Sequence, residues 1–321
     1  MTPVLNIIYT RGTVAALARF APLFTDHTGW RYRLVANGCT PDEVALLHRI
    51  AAVSDRLSVH NLESDEVVPH GETLCRLADT FTDEPYFAFM DSDIVCTGDF
   101  TTAATALLAD NAAIFGGTPL WARSQDTILA PDRQEVCGPH ISTPDGLLFG
   151  SSYFAVYRRS VLDEVQQRCA VAFDKYTAAN LGGIDDGFQG FLKDRDAWRS
   201  DYTPGKLLNT GFTYLGRPVT YTDFDDLIHI GGYSMATFQE QVDAGQEPAG
   251  PAAIQTMLGF NEYRGHMDRK LAVCERTMRS FASIDETGEP WRGGHRLPQE
   301  MEDQIRVVED LYARQAHLVA A

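Results

Sequence analysis

Apolar positions along the first 116 residues follow two rhythms: short β-branched or aromatic runs, and stretches where they recur every three or four residues. Their alternation predicts a mostly parallel sheet covered by helices. Residues 4–9 read as the first strand. Val14, Leu17, Phe20 and Leu23 then keep helical spacing, and residues 32–36 form a second strand ending at the turn Asn37-Gly38. Pro41 suits the first turn of the following helix, where a missing N–H costs nothing. Residues 57–60 read as a third strand and 70–80 as a helix. Residues 86–90 form a fourth strand, whose unbroken apolar run marks it as buried on both faces. A helix over 101–109 leads to a fifth strand at 112–115.

Between residues 117 and 149 Gly, Pro, Ser and Asp accumulate and periodicity fades. A loop that long in a compact domain usually has a function, here the covering of a substrate. Regular structure resumes with a strand at 152–157, a helix around 159–171, a helix starting near Asp185, and strands near 218–222 and 227–230. AGQEPAGPA at 244–252 reads as a linker. Beyond it Met267, Leu271, Cys274, Met278 and Phe281 recur at helical spacing, as do Met301, Ile305, Val308 and Tyr312. The tail is expected to be helical, its stripes packing on the main domain or, as a second reading, forming a homodimer interface. The chain thus divides into an α/β domain at 1–233, split between 116 and 117, and a helical extension at 234–321.

Charge narrows the partners. Against 27 Lys and Arg stand 44 Asp and Glu, a net charge of −17. Non-specific nucleic-acid affinity comes from cations that neutralise phosphates, so nucleic-acid binding is set aside. The six Cys include no C-x-x-C pair, which argues against a zinc ribbon or a disulfide framework and for reduced thiols in a cytoplasm. The opening MTPVLNIIYTRG lacks the basic flank and long apolar core of a secretory signal, and no window approaches about 18 apolar residues. A cytoplasmic protein without an integral membrane segment is expected.

The pattern D-x-D carries no weight by itself. The 28 Asp among 321 residues give roughly two or three such patterns by chance, and three occur, at 91/93, 194/196 and 223/225. Position separates them: only Asp91-Ser92-Asp93 follows an unbroken strand, and in open α/β sheets ligands bind outside the carboxyl ends of strands. Two carboxylates there can hold a divalent cation and reach an adjacent hydroxyl, and such a cation bridges the oxygens of a diphosphate. The plain alternative is a pair of solvated turn residues before the next helix.

FAFMDSDIV resembles the D-x-D segment of GT-A glycosyltransferases. IIYTRG, VANGCTPDE, GSSYFAVYRRSVL, GGIDDGFQGFL and HIGGYS stand in the order shown by family-two-like sugar transferases, over about residues 3–234. The resemblance implies a GT-A fold: α/β, Rossmann-like, a mostly parallel sheet flanked by helices, here with a helical C-terminal extension. It implies a nucleotide-sugar donor held by residues 1–116, an acceptor half at 117–233, and a Mn²⁺ or Mg²⁺ ion on Asp93 with Asp91 beside it and Ser92 near the donor. A UDP-sugar is the favoured donor, and the acceptor is not indicated.

Asp185-Asp186 follow Gly182-Gly183 and precede Phe188, Phe191 and Leu192. That places them at a helix start, where the macrodipole favours carboxylates and capping is the plain reading. An inverting transferase also needs a carboxylate to take the proton of the acceptor hydroxyl, and the pair resembles the Glu-Asp or Asp-Asp pair of that family. On this likeness Asp186 is the base and Asp185 contacts the acceptor; a shift of one residue exchanges them. His229, before Gly231-Gly232, is either a satisfied core histidine or, as the resemblance implies, a third metal ligand beside the carboxylates. Where the family's second strand ends in a base-reading Asp, this chain has Ala36 and then Asn37. Asn37 and the Tyr9-Thr10-Arg11 turn become the candidate contacts to base and phosphates. Trp121 is a candidate either for stacking on an acceptor sugar or for anchoring the long loop.

Other classes share fragments of this pattern. Asp91-Ser92-Asp93-Ile94-Val95 fits the strand-end motif of haloacid-dehalogenase-like phosphatases, with Asp91 as nucleophile, but that motif normally opens its chain and here about 85 residues of sheet and helix come first. A sugar-1-phosphate nucleotidyltransferase would carry a Gly-rich basic loop where IIYTRGTVAAL has one Gly. A non-catalytic sugar- or nucleotide-binding module would have no use for D-x-D, Asp185-Asp186 and His229 together.

Overall fold

The structure, a computed structural model, describes residues 2–122, 135–136, 140–142, 147–150, 153–199, 201–243 and 264–319. Its first strand, β1 (Val4–Thr10), is apolar on both faces except at Asn6. That buried amide donates to the Ala88 carbonyl at 2.7 Å and accepts from Arg33 Nη1 at 2.8 Å, so its polar atoms are satisfied. The helical stretch that follows is not one run. It divides into α1 (Val14–Leu17), a 3₁₀ turn at Ala18–Phe20, and α2 (Ala21–His27), because Pro22 has no N–H for a continuous helix and belongs in a first turn. β2 (Arg31–Asn37) leads to α3 (Pro41–Ala51), where Thr40 and Glu43 form a reciprocal capping box and Pro41 takes the first turn as expected.

β3 (Leu57–Asn61), α4 (His70–Thr80) and β4 (Tyr86–Asp91) follow, then β5 (Ile94–Cys96), α5 (Phe100–Asp110) and β6 (Ala113–Gly116). The stretch expected as an unbroken loop from 117 contains short strands: β7 (Glu135–Val136), β8 (His140–Ser142) and β9 (Leu148–Gly150), the last two an antiparallel pair. Residues 123–134, 137–139 and 143–146 of it lie outside the described residues, as does position 152 of the next expected strand. β10 (Phe154–Arg158) leads directly into α6 (Arg159–Cys169), which stops two residues earlier than the spacing predicts because Ala170 turns left-handed at φ 51°. The walk continues through β11 (Tyr176–Thr177), α7 (Asp186–Asp194), β12 (Asp201–Tyr202), α8 (Lys206–Tyr214), β13 (Val219–Tyr221), β14 (Leu227–His229) and α9 (Tyr233–Asp243). The expected linker at 244–252 lies outside the described residues. Two helices close the chain, α10 (Arg264–Thr287) and α11 (Gln299–Arg314).

The central sheet has the order β13-β6-β10-β4-β1-β2-β3, and every strand is parallel to its fellows except β10, which pairs antiparallel with both β4 and β6. This is the mixed α/β architecture the sequence predicts. Along β4, Ala88 and Met90 join one apolar cluster and Phe87 and Phe89 the other, as the period-two alternation of a strand requires. Helices α1, α2, α3 and α5 cover the first cluster, and α4, α6, α7 and α8 the second.

The C-terminal helices pack on the first cluster through Val273, Phe281, Ile284, Ile305, Val308 and Tyr312. Phe281 and Tyr312 stack at 3.8 Å between centroids, and Arg19 lies 3.7 Å above the Tyr312 ring while bridging to Asp285. Leu271, expected in the buried stripe, is 44% exposed; the packed face passes through Cys274 and Phe281 as expected, and through Val273 and Thr277 as well. Between α10 and α11 the buried Glu309 carboxylate accepts from Arg276, Arg292 and Ser280. Among the described residues no helix is long and apolar enough to cross a membrane. Glu309→Ala leaves the buried Arg276 guanidinium without its main partner, so the expected loss of stability is about 3–5 kcal/mol, read from the urea midpoint. A loss below about 1 kcal/mol would show that apolar contacts alone join the two helices.

Candidate functional site

β4 ends at Asp91, in the middle of the sheet and at the carboxyl end of the parallel strands; Asp91 pairs with Ile8, two residues before the end of β1. The chain turns through Ser92 and Asp93 into β5, and β5 pairs antiparallel with β14 so that Ile94 faces His229. This two-stranded ribbon brings an imidazole 136 positions downstream back to the aspartates. His229 Nε2 lies 3.1 Å from Asp93 Oδ1 and 3.9 Å from Asp91 Oδ2. The main chain holds the other sides: Tyr233 N–H donates to Asp93 Oδ2 at 3.0 Å, Ile230 N–H to the Asp93 carbonyl at 3.0 Å, and Asp91 N–H to the Tyr153 carbonyl at 2.8 Å. The Tyr153 ring flanks the His229 ring at 5.1 Å.

The tautomer of His229 follows from its other nitrogen. Nδ1 sits 2.5 Å from the Gly117 carbonyl, an acceptor only, so Nδ1 carries a proton, and in the neutral ring Nε2 is the nitrogen that presents a lone pair. Nε2 is buried, and the polar side-chain atoms it faces are the carboxylates of Asp93 and Asp91. Burial disfavours a charged imidazole, yet Asp93, Asp91 and the Gly117 carbonyl outweigh it and raise the pKa. Asp91 is pushed up to about 7 by desolvation and by the charge of Asp93. Burial likewise opposes ionisation of Asp93, but His229 and the Tyr233 N–H outweigh it and hold that carboxyl below its usual range.

These are the properties of a cation site. Metal–ligand bonds of about 2.1 Å put two ligands at most ~4.2 Å apart, and the separations of 3.1 and 3.9 Å from Nε2 to the two carboxylates fall inside that limit. Asp91, Asp93 and His229 form the group of three metal-ligating side chains found among the described residues, and the Nδ1–H to carbonyl contact is the outer support that fixes a ligating imidazole.

The glycines after His229 permit the close packing around it. Gly231 and Gly232 have φ of 80° and 98°, and a Cβ at Gly231 would stand 2.3 Å from Pro119 Cβ. Trp121 Nε1 donates to the Gly231 carbonyl at 2.8 Å, so Trp121 lies beside the segment that carries His229. Ser92 is buried in the turn. Thr10 reaches the same region through a 3.1 Å contact between its hydroxyl and that of Ser234 in the first turn of α9.

Two expected donor-contact side chains face inward instead. Tyr9 is 1% exposed within the first core cluster, and Asn37 is 2% exposed with its amide held by Val68 and Thr73. Burial turns both toward protein, so a ligand meets only the main chain at these positions. Arg11 donates to the carbonyls of Gly38 and Asp65, which are neutral acceptors, so its charge is not cancelled.

Asp185 and Asp186 lie elsewhere on the same end of the sheet. The Phe173 carbonyl beyond α6 abuts Gly71 at the start of α4, which follows the carboxyl end of β3, and Asp185 N–H donates to the Cys169 carbonyl at the end of α6. Asp185 is the N-cap of α7, accepting from Phe188 N–H at 2.8 Å, whereas Asp186 is exposed. Both belong to the face covered by the second cluster.

Sequence reasoning missed Tyr233 and Lys270. The ammonium of Lys270, on α10, is 5.2 Å from the Trp121 ring centroid and interacts electrostatically with Asp91 and Asp93. Nothing in the RK pair at 269–270 marks it; the one available signal was Gly231-Gly232, whose missing side chains admit a neighbour.

No known protein family and no curated protein matches the chain. Solved structures similar to it include the mannosyltransferase PcManGT from Pyrobaculum calidifontis in complex with GDP-Man and Mn²⁺, at 12% identity, 100% of this chain, 85% of that chain and TM-score 0.46. S. aureus TarS is similar at 12% identity, 98% of this chain, 81% of that chain and TM-score 0.43. The galactosyltransferase LgtC with donor and acceptor sugar analogs is similar at 11% identity, 68% of this chain, 73% of that chain and TM-score 0.39. Function is therefore read from the site's own atoms.

Saturating Mn²⁺ is expected to stabilise the protein, by about 2.7 kcal/mol at a hundred times Kd, seen as a rise in Tm that EDTA reverses. Asp93→Ala and His229→Ala abolish the rise, while Asp194→Ala, in a D-x-D outside the cluster, keeps it. Equal behaviour of the three variants would remove this triad as the metal site.

Proposed function

We propose that the protein is a GT-A glycosyltransferase of the family-two-like kind, moving a hexose from a nucleotide-diphosphate donor to an acceptor hydroxyl with inversion. The observation that carries the reading is the buried, unpartnered Nε2 of His229 facing Asp91 and Asp93 at the carboxyl end of the parallel sheet. Asp93 and His229, with Asp91, would hold a divalent ion there. Two oxygens and one imidazole nitrogen suit Mn²⁺ better than Mg²⁺, which prefers oxygen ligands throughout. When bound, such an ion neutralises charge on a diphosphate.

The chain's own residues divide the remaining work. Thr10 and Arg11 border the donor side, and the uncancelled Arg11 charge supports phosphate binding. Ser92 holds the turn that sets the spacing of the two aspartates. Asp186, exposed and without a hydrogen-bond partner among the described residues, takes the acceptor proton as oxygen attacks the anomeric carbon. Asp185, already tied to Phe188 N–H through one oxygen, has the other for the acceptor. Trp121 would meet a sugar on the metal side of the cleft, since it packs against Gly231. With Asn37 committed to Val68 and Thr73, base selection falls to main-chain groups around residues 36–38 and to Arg11, and a UDP-sugar stays the favoured donor.

Asp186→Asn retains size and hydrogen bonding but cannot accept a proton, so donor affinity should persist while kcat falls about 10²- to 10⁴-fold. Because Asn caps a helix nearly as well as Asp, a purely capping role predicts near-normal turnover for this variant. Proton NMR of fresh product reads the anomeric coupling; retained configuration with an active Asp186→Asn would defeat the assignment. For the donor, competition binding decides: GDP bound tenfold more tightly than UDP, about 1.4 kcal/mol, would overturn the choice of UDP.

A further inference from the structure

The C-terminal helix α10 brings a cation to the wall of this site. Lys270 lies with its aliphatic end against Gly232, where a Cβ would stand 2.2 Å from Cε and 3.2 Å from Nζ, and with Nζ over the Trp121 face. Its ammonium interacts electrostatically with Asp91 and Asp93, yet among the described residues it makes no ion pair or hydrogen bond with either. A lysine serving as internal counter-ion to the aspartates would close on a carboxylate to about 3 Å. This one stands off, held by a ring on one side and a glycine on the other. Burial lowers its pKa, with Cys274, Asp93 and Asp91 opposing the shift, so the environment favours an added negative charge beside it.

The helix that carries it is fixed by Phe281 on Tyr312 and by the Arg19–Asp285 bridge, so the ammonium is presented from a rigid element. A three-ligand metal cluster with a separate, unpaired cation next to it fits a ligand that is anionic at two points. A diphosphate has that form, one oxygen set turned to the metal cluster and another to the lysine.

We infer that Lys270 binds the distal phosphate of a nucleoside diphosphate and stabilises it as the leaving group, an inference that rests on the transferase reading above. As the acceptor oxygen bonds to the anomeric carbon, the bond from that carbon to the phosphate oxygen breaks. The bonding pair stays on the diphosphate, and the acceptor proton passes to Asp186. The diphosphate gains one negative charge in this step, and a preplaced ammonium is worth most where charge develops. Trp121 orients the ammonium by a cation–π contact, and Gly232 leaves the space the lysine occupies. On this assignment the C-terminal extension completes the donor site.

Calorimetric titration of UDP and GDP in Mn²⁺, with Mn²⁺ alone titrated separately, tests the inference on the full-length chain. Lys270→Met is expected to keep its Mn²⁺ affinity within about threefold of wild type. Its affinity for the nucleoside diphosphate should fall about 10- to 100-fold, and for the corresponding monophosphate less than about threefold; Lys270→Arg restores most of the loss. Lys270→Gln, equally neutral, repeats the comparison with a polar end. Unchanged diphosphate affinity in both neutral variants overturns the inference and leaves the transferase reading standing. Loss of Mn²⁺ affinity, or equal losses for mono- and diphosphate, makes Lys270 structural and overturns it too. A wild type that binds Mn²⁺ but neither UDP nor GDP overturns the transferase reading, and this inference with it.

Discussion

Two carboxylates and an imidazole share one small buried volume, and the rest of the site is built around the negative charge they concentrate there. At about 4 Å, two like unit charges repel by roughly 4 kcal/mol even at an effective dielectric constant near 20. The protein answers part of this with fixed dipoles. The Tyr233 N–H, at the start of α9, points at Asp93, and the positive end of a helix favours a carboxylate there. What these dipoles leave open is the imidazole nitrogen itself, buried and aimed at the two carboxylates.

Rigid placement of Asp91, Asp93 and His229 comes from elements far apart in the chain. β4 is the central buried strand, so Asp91 inherits the fixity of the sheet. His229 inherits the register of β14 on β5, where Leu227, Ile228 and His229 pair with Cys96, Val95 and Ile94. The Gly117 carbonyl, just beyond β6, fixes the imidazole tautomer from a third direction. Each contact depends on the next: without Gly231 the Trp121 indole and Pro119 could not close on the segment, and without α10 packed on Phe20 and Tyr312 Lys270 would have no fixed origin.

Much of this was legible in the sequence. The strand residues 86–90 announced themselves by an unbroken apolar run, and D-x-D at its end gained meaning from that position alone. The helix at Asp185 and the C-terminal stripes were readable from spacing. What escaped had weak local signals. β5 is three residues long and α8 begins at a glycine with no capping side chain, so neither has a period or a start signal to read. The break between α1 and α2 was written in Pro22 and overridden by an apolar spacing that ran straight through it. Tyr9 and Asn37 show the limit of reading by position: each stands at a strand end that could face a ligand, and only the three-dimensional packing reveals that the ring and the amide turn inward. Lys270 was beyond reach, since its role depends on how α10 docks, which no spacing records.

The overall charge sharpens the meaning of that lysine. On the proposed function, a protein with a net charge of −17 presents an anionic donor with a repulsive far field, screened beyond about 8 Å at physiological ionic strength. On that reading, binding strength comes from groups within a few ångströms of the diphosphate. Several arginines are unavailable for this: Arg19, Arg33, Arg76, Arg217 and Arg276 are each paired to a carboxylate. Arg11, whose donors go to carbonyls, and Lys270, which makes no ion pair with either aspartate, are not neutralised in this way. On the proposed function, selectivity for a diphosphate over other small anions follows from this arrangement: the general surface rejects anions, and only one long enough to span a metal triad and a lysine from another helix collects both attractions at once.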